Sequence, residues 1–279
     1  MHCELLGGGK VRCLLCPNYC LLNKGQTGAC GVRQNIDGRL FSLIYAEATS
    51  VALDPIEKKP LYHFHPGTQI LSLGTKGCNL KCPWCQNWGI SQDLAHPTSR
   101  ISPEQAVAKA REFNSFGIAY TYNEPFVWYE FVCDTARLAR RQGLKNVLVT
   151  NGYVNPKPLE EIIDLIDAMN IDVKSMEDGF YRRYCKGALA PVLKTAESAA
   201  KKCHIEITNL IIPTLNDQER NVAKLIDWVA ASLGPETPLH FSRYFPAHQM
   251  NLAPTPLETL TRAKELASKK LRYVYLGNV

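Results

Sequence analysis

From residue 69 to the end, short apolar runs alternate with longer stretches in which apolar residues recur every three or four positions. The first pattern is that of a buried strand, the second that of a helix laid on one face. Candidate strands are Ile70–Leu73, Ile118–Thr121, Asn146–Val149, Ile171–Val173, Ile205–Leu210 and Leu239–Ser242, with a seventh at Tyr273–Leu276. Helical spacing fills residues 125–142, 157–168, 191–202 and 217–232. Two further helix starts are written as Ser102-Pro103-Glu104-Gln105 and Thr255-Pro256-Leu257-Glu258, each a capping residue followed by proline. Strand alternating with helix is the mark of parallel βα units in an α/β fold. Six units and a closing strand predict an incomplete TIM-like (β/α)6 barrel over residues 69–279. A doubly wound sheet has the same periodicity, so both architectures stay open.

Residues 1–68 break that rhythm. They read as a small Cys-rich N-terminal appendage, with a strand-like hairpin at Leu40–Leu53 and a loop-rich link from Asp54-Pro55 to Pro66-Gly67. No apolar run approaches the roughly 18 residues of a membrane span. The start, MHCELLGGGKVRC, lacks the apolar core of a signal peptide. A cytoplasmic protein without a membrane partner is expected. Apolar residues make up 46% and charged residues 21% of the 279, an ordinary globular balance. The net charge of +6 is scattered without a Lys/Arg block, so a nucleic-acid partner has no support.

The cysteines change the picture. There are eleven, and seven fall into two tight groups, which reads as metal binding in a reducing compartment rather than as disulfides. In GCNLKCPWCQN, Cys78, Cys82 and Cys85 stand at C-x3-C-x2-C spacing directly after the first barrel strand. Loops after strand carboxyl ends are where βα barrels keep their chemistry. Three thiolates on a four-iron cube leave one iron open to a non-protein ligand, as a catalytic zinc keeps an open position.

The spacing, with Trp84 before the last cysteine, resembles the radical S-adenosylmethionine (SAM) superfamily. The resemblance implies a [4Fe–4S] cluster on Cys78, Cys82 and Cys85 with SAM chelated to the open iron. It also implies an oxidoreductase-type reaction: an electron from a flavodoxin- or ferredoxin-type donor cleaves SAM to methionine and a 5′-deoxyadenosyl radical, which takes hydrogen from a substrate.

Later strand ends extend the match to glycyl-radical activating enzymes. Tyr122-Asn123-Glu124-Pro125 resembles their Gly-Gly-Glu-Pro, which puts Glu124 near the SAM ammonium and Asn123 in a glycine's place. Val149-Thr150-Asn151-Gly152 resembles Asp-Thr-Asn-Gly. Valine cannot replace that aspartate's hydrogen bonds, so they fall to Thr150 and Asn151. Asp172-Val173-Lys174 resembles Asp-Leu-Lys and gives Lys174 to the SAM carboxylate. His240 matches a histidine placed near SAM, and Glu206 on the preceding strand joins the candidate set. Plainer readings stand beside these: a solvated Glu124, an internal Asp172–Lys174 ion pair, a core His240.

Leu53–Phe64, Cys82–Gln92 and Cys13-Leu14-Leu15-Cys16-Pro17 carry the resemblance over nearly the whole chain to the AmmeMemoRadiSam system radical SAM enzymes, relatives of pyruvate formate-lyase activating enzymes. A partnership with an AmmeMemo protein, and a macromolecular substrate entering through a lateral barrel opening, are what that likeness implies. Members continue past the last strand with a cysteine-bearing tail, so a chain ending at Gly277-Asn278-Val279 reads as a shortened form.

Cys13-x2-Cys16-x3-Cys20-x9-Cys30 offers four thiols, enough for structural zinc or for a second iron–sulfur cluster. Cys185, in the loop after the fourth strand, is a candidate hydrogen donor or a packing residue. The competing function is a zinc-stabilised binding module without SAM chemistry.

Overall fold

A computed structural model describes all 279 residues. Eight strands form one sheet in chain order: β1 (Ser50–Pro55), β2 (Gln69–Gly74), β3 (Gly117–Tyr120), β4 (Lys145–Thr150), β5 (Ala168–Asp172), β6 (His204–Ile211), β7 (Leu239–Arg243) and β8 (Val274–Gly277). β1 runs antiparallel to β2, and every later neighbour pair is parallel. The crossovers carry α1 (Pro103–Glu112), α2 (Tyr129–Arg141), α3 (Pro156–Ile162), α4 (Leu189–Ala199), α5 (Glu219–Trp228) and α6 (Leu257–Ala267). Right-handed crossovers between successive neighbours put all six helices on one side of the sheet. A doubly wound sheet reverses its strand order part-way. This one never does, so the fold is the partial barrel. Its two edge strands, β1 and β8, share no ladder.

Helix starts follow local chemistry. Ser102 caps α1 by accepting from the Gln105 amide at 3.2 Å, while the Gln105 side chain accepts from the Ser102 amide at 2.8 Å. α2 turns Phe131, Val132, Thr135, Ala136 and Ala139 inward at helical spacing. Thr255 does not repeat the capping device. Its hydroxyl donates to the Ile211 carbonyl at 2.6 Å and accepts from the Tyr244 amide, tying the ends of β6 and β7 together, and α6 begins without a side-chain cap.

The expected hairpin also moves. Arg33–Ile36 pairs with Arg39–Ser42 around Asp37-Gly38, both at positive φ (50° and 81°), as a tight two-residue turn requires. Ser50–Pro55 joins β2 instead, so the barrel sheet begins before residue 69. One core of 62 residues runs from Val11 and Val32 through to Val274, and the appendage shares it with the barrel.

The link between β1 and β2 closes the amino-terminal mouth of the barrel. Ile56, Leu61 and Phe64 pack on Ile70, Ala119, Val147 and Ala168. The Pro60 carbonyl accepts from Asn170 at 2.8 Å, and the His63 ring reaches the Tyr275 hydroxyl of β8 at 2.6 Å. Near the carboxyl ends of the strands, Val149, Asp172, Thr208, Leu210 and Ser242 keep partial exposure. The barrel is plugged below and open above.

Candidate active site

The three-cysteine loop leaves β2 at its carboxyl end and is fastened on several sides. Asn123 donates to the Gly77 carbonyl at 2.8 Å and accepts from the Thr75 amide at 3.2 Å. The Asn87 side chain donates to the Tyr122 carbonyl at 2.7 Å. Trp84 is buried against Phe180 and Tyr184, ring centroids 5.3 and 6.3 Å away, and anchors the loop instead of lining a cleft. Gly77 sits at φ +87°, where a Cβ would stand 2.7 Å from Val32 Cγ1 and 2.8 Å from the Cys30 carbonyl oxygen. Only glycine fits there.

The sulfurs have hydrogen-bond partners of their own. The Leu80 amide donates to Cys78 Sγ at 3.4 Å, Asn151 Nδ2 approaches it at 3.6 Å, and Cys85 Sγ lies 3.2 Å from the Ser91 hydroxyl. Burial pushes the Cys78 thiol well up, so a cation must be present for it to serve as a thiolate.

Glu124, buried to 1% exposure at the carboxyl end of β3, faces the end of β4. Its Oε1 accepts from the Thr150 hydroxyl at 2.8 Å and the Phe126 amide at 3.0 Å, and its Oε2 accepts from the Asn151 amide at 2.8 Å. Burial pushes its carboxyl up to about 7 against the pull of these donors and of Lys174. Asn151 also donates to the Asn79 side chain at 2.9 Å, which in turn donates to the Tyr153 carbonyl at 2.7 Å. Asn79, between Cys78 and Leu80, was not a sequence candidate. It couples the loop to β4, and its place inside the cysteine spacing was the available signal.

Lys174, 9% exposed, places Nζ 2.6 Å from Asp172 Oδ2. Burial works against its charge, but the Asp172 carboxylate and the neighbouring Cys82 and Cys185 sulfurs outweigh it and hold the ammonium well above the ordinary lysine range. The other Asp172 oxygen, Oδ1, is buried without a partner. Asn123, Glu124, Thr150, Asn151, Asp172 and Lys174 thus gather around the cysteine loop.

Glu206 and His240 do not join them. Both lie near the starts of their strands, where His240 Nε2 meets Glu206 Oε2 at 2.6 Å on the plugged side of the barrel. The other Glu206 oxygen is 2.7 Å from the His63 amide and 3.0 Å from His204 Nε2. Cys185 is fully buried with its thiol against Cys82, so it faces the cysteine loop and not the open cleft. Cys13, Cys16, Cys20 and Cys30 are brought within one another's electrostatic reach beside Arg33.

Residues 72–226 match the Radical SAM superfamily profile, and that span holds all three loop cysteines together with Glu124, Thr150, Asn151, Asp172 and Lys174. The chain belongs to the radical SAM superfamily. An uncharacterized protein of Methanocaldococcus jannaschii is 47% identical over all of this chain and 84% of its own length. The pyruvate formate-lyase-activating enzyme of Clostridium pasteurianum is 26% identical over 54% of this chain and 65% of that enzyme. Among solved structures, SuiB of Streptococcus suis bound to S-adenosylmethionine shares the fold at a TM-score of 0.58, with 11% identity over 75% of this chain and 51% of SuiB.

As a radical SAM enzyme the protein uses a [4Fe–4S] cluster and SAM, and the residues fit both. No three His, Cys, Asp or Glu side chains converge as the ligands of a single ion do. A cube with irons at separate corners takes its thiolates spread apart, and one loop supplies three. The orphaned Asp172 Oδ1 is an acceptor waiting for a donor, and Lys174 is a buried cation beside it. When bound, the reduced cluster supplies the electron that breaks the SAM sulfonium bond and provides the 5′-deoxyadenosyl radical. No helix is long and apolar enough to cross a membrane.

Proposed function

We propose that this radical SAM enzyme takes hydrogen from a protein-sized substrate that enters through the open rim of the barrel. The observation that carries the reading is the contrast between the two mouths: one plugged by residues 56–68, the other leaving Val149, Asp172, Thr208, Leu210 and Ser242 partly exposed beside an unpaired sheet edge. A glycyl-radical or other protein partner is the substrate class that the activating enzymes among its relatives support. An AmmeMemo protein, suggested by the likeness of Leu53–Phe64 and Cys82–Gln92, is the partner we assign to this role.

Cys78, Cys82 and Cys85 hold the cube. Glu124 faces the SAM ammonium, with Thr150 and Asn151 as positioning residues that fix both of its oxygens. Lys174 meets the SAM carboxylate, and Asp172 Oδ1 accepts a ribose hydroxyl. Asn123 and Trp84 hold the loop in place. A flavodoxin- or ferredoxin-type donor supplies the electron, and Cys13, Cys16, Cys20 and Cys30 hold a second metal centre. All eleven cysteines are free, in keeping with a reducing, cytoplasmic setting.

The test is anaerobic reconstitution with iron and sulfide, then reaction with SAM, a strong reductant and a deuterated AmmeMemo partner protein. A brown protein that forms 5′-deoxyadenosine carrying deuterium from the partner is expected. A colourless zinc protein inert to SAM would make it a binding module, and 5′-deoxyadenosine that never gains deuterium would overturn the protein-substrate reading.

A further inference from the structure

We propose that Cys13, Cys16, Cys20 and Cys30 hold a second [4Fe–4S] cluster that relays electrons to the one on the Cys78–Cys85 loop. The inference rests on the radical SAM reading of that loop.

The first support is how the four sulfurs are held. The Leu15 amide faces Cys13, the Asn18 amide faces Cys16, and the Val32 and Arg33 amides face Cys30. The Ala29 amide donates to Cys20 Sγ at 3.3 Å. At Cys13, Cys16 and Cys30 the donor comes from two residues along, so the same turn is made three times. Amides aimed at sulfur stabilise a thiolate more than a thiol, because hydrogen bonds to an ionised acceptor are the stronger ones. Burial still holds the Cys13, Cys16 and Cys30 thiols above their ordinary range, so a bound cation must complete the stabilisation, as at Cys78. None of the four is in a disulfide.

The second support is charge. Arg33 is 1% exposed, grips Glu130 through Nη1 at 3.1 Å and Nη2 at 2.6 Å, and lies close enough to Cys13 and Cys30 to act on both. Glu130 takes two of its nitrogens. The third, Nε, is buried with no partner at all. A buried donor on a full positive charge is costly to leave unpaired. A cluster carrying four thiolates bears net negative charge and removes that cost.

The third support separates a redox centre from a zinc staple, and it is placement. The Cys30 carbonyl oxygen lies 2.8 Å from where a Cβ on Gly77 would stand, one residue before Cys78. Asn18, between Cys16 and Cys20, donates to the Asn79 carbonyl at 2.9 Å, one residue after Cys78. Asn155 holds the Leu14 carbonyl with its side chain at 2.7 Å and the Leu15 carbonyl with its amide at 3.1 Å. The two cysteine loops therefore touch on both flanks of Cys78, through the Cys30 backbone on one side and the Asn18 side chain on the other. A zinc staple stabilises wherever it sits, whereas a relay has to abut its acceptor. In the relay, one electron from the low-potential flavodoxin- or ferredoxin-type donor reduces the N-terminal cluster and passes to the loop cluster. The donor ends one electron oxidised, the N-terminal cluster returns to its starting state, and no bond or proton moves.

The experiment is metal analysis and electron paramagnetic resonance on anaerobically reconstituted full-length protein. Cys78→Ala/Cys82→Ala/Cys85→Ala should retain about four irons and four sulfides per chain and show a reduced-cluster resonance. Zinc, or no metal, in that folded variant overturns the inference. Cys16→Ser/Cys20→Ser in the otherwise native chain guards against a triple variant that does not fold. It should lose about half of the wild-type iron and lower the ratio of flavodoxin-driven to dithionite-driven SAM cleavage. Full iron, or an unchanged ratio, overturns the inference. A Cys16→Ser/Cys20→Ser protein with no iron at all would instead sink the radical SAM reading of the loop.

Discussion

Glu206 is where the barrel floor can be tested most sharply. It is fully buried. Its Oε1 accepts from the His63 amide at 2.7 Å and His204 Nε2 at 3.0 Å, and its Oε2 accepts from the Tyr62 amide at 3.0 Å and His240 Nε2 at 2.6 Å. Burial alone would push its carboxyl up, but the hydrogen bonds from His204, His240, His63 and Tyr62 outweigh it and hold it down at about 2. A carboxylate lowered from 4.5 to about 2 stabilises the fold above its unfolded value and loses that contribution as pH falls from 4.5 toward 2. At about 1.4 kcal/mol per unit, the contribution at neutral pH is about 3 kcal/mol. Glu206→Gln replaces one accepting oxygen with an NH2 group that must face a backbone N–H and an imidazole. An unmet buried donor costs about 1–3 kcal/mol more, so the variant should lose about 4–6 kcal/mol in all. In a chain of this size that lowers Tm by about 10 °C. The assay is urea and thermal unfolding of Glu206→Gln and wild type at pH 7 and pH 4, with SAM affinity measured on the cluster-loaded proteins. The stability gap should be large at pH 7 and narrower at pH 4, with SAM affinity unmoved. An unchanged unfolding midpoint at pH 7, or a loss of SAM affinity without a loss of stability, would refute the floor assignment.

Lys174→Met should weaken SAM binding to the loaded enzyme by about 10- to 100-fold, the worth of one charge-assisted contact, as read by equilibrium dialysis. Unchanged affinity would remove Lys174 from the site. Gly77→Ala places a Cβ against Val32 and the Cys30 carbonyl at φ +87° and should cost about 2–4 kcal/mol and lower cluster occupancy. Gly143→Ala, also at positive φ but with nothing within 4 Å, should cost only about 1 kcal/mol by the same unfolding assay, and equal losses would mean that contact plays no part. Cys185→Ala empties a fully buried thiol site beside Cys82 and should cost about 1–2 kcal/mol while iron content holds. Loss of the loop cluster in that variant would make Cys185 a fourth ligand and close the iron left for SAM.

The strands were legible because short runs rich in apolar and β-branched residues recur between the helical stretches, and all seven parallel ones fall within three residues of their expected bounds. The Arg33–Ser42 hairpin was hidden because its strands are short and mostly polar, so the Asp37-Gly38 turn had no hydrophobic alternation beside it to announce it. Thr255 misled because a hydroxyl before proline caps a helix only when no buried carbonyl claims it first, and that of Ile211 does. In the site, Cys78, Cys82, Cys85, Glu124 and Lys174 could be read locally, since each stands just past a strand's carboxyl end. Glu206 and His240 could not be told from them by residue type. What separates them is height: Glu206 is the third residue of β6 and His240 the second of β7, so their side chains lie near the amino-terminal, plugged end. Arg33 escaped notice for another reason. Besides the neighbouring Cys30, its partners are Glu130 and Cys13, far off in sequence, a grouping only the folded chain creates.

The polar groups at the open end are arranged to exchange partners. Lys174 pairs with Asp172 and Glu124 accepts from three protein donors, while Asp172 Oδ1 is buried without a partner. A ligand that brings only a carboxylate draws Lys174 away and leaves Asp172, whose side chain is one-third exposed, without its cation. One that brings only a donor leaves Lys174 on Asp172 and gains a single neutral hydrogen bond, about 1 kcal/mol. A molecule that carries a carboxylate, an ammonium and hydroxyls together satisfies Lys174, Glu124 and Asp172 at once, and that combination is what an amino acid joined to a nucleoside presents. On the proposed contacts, selectivity for SAM comes from meeting all three groups together rather than from any one of them.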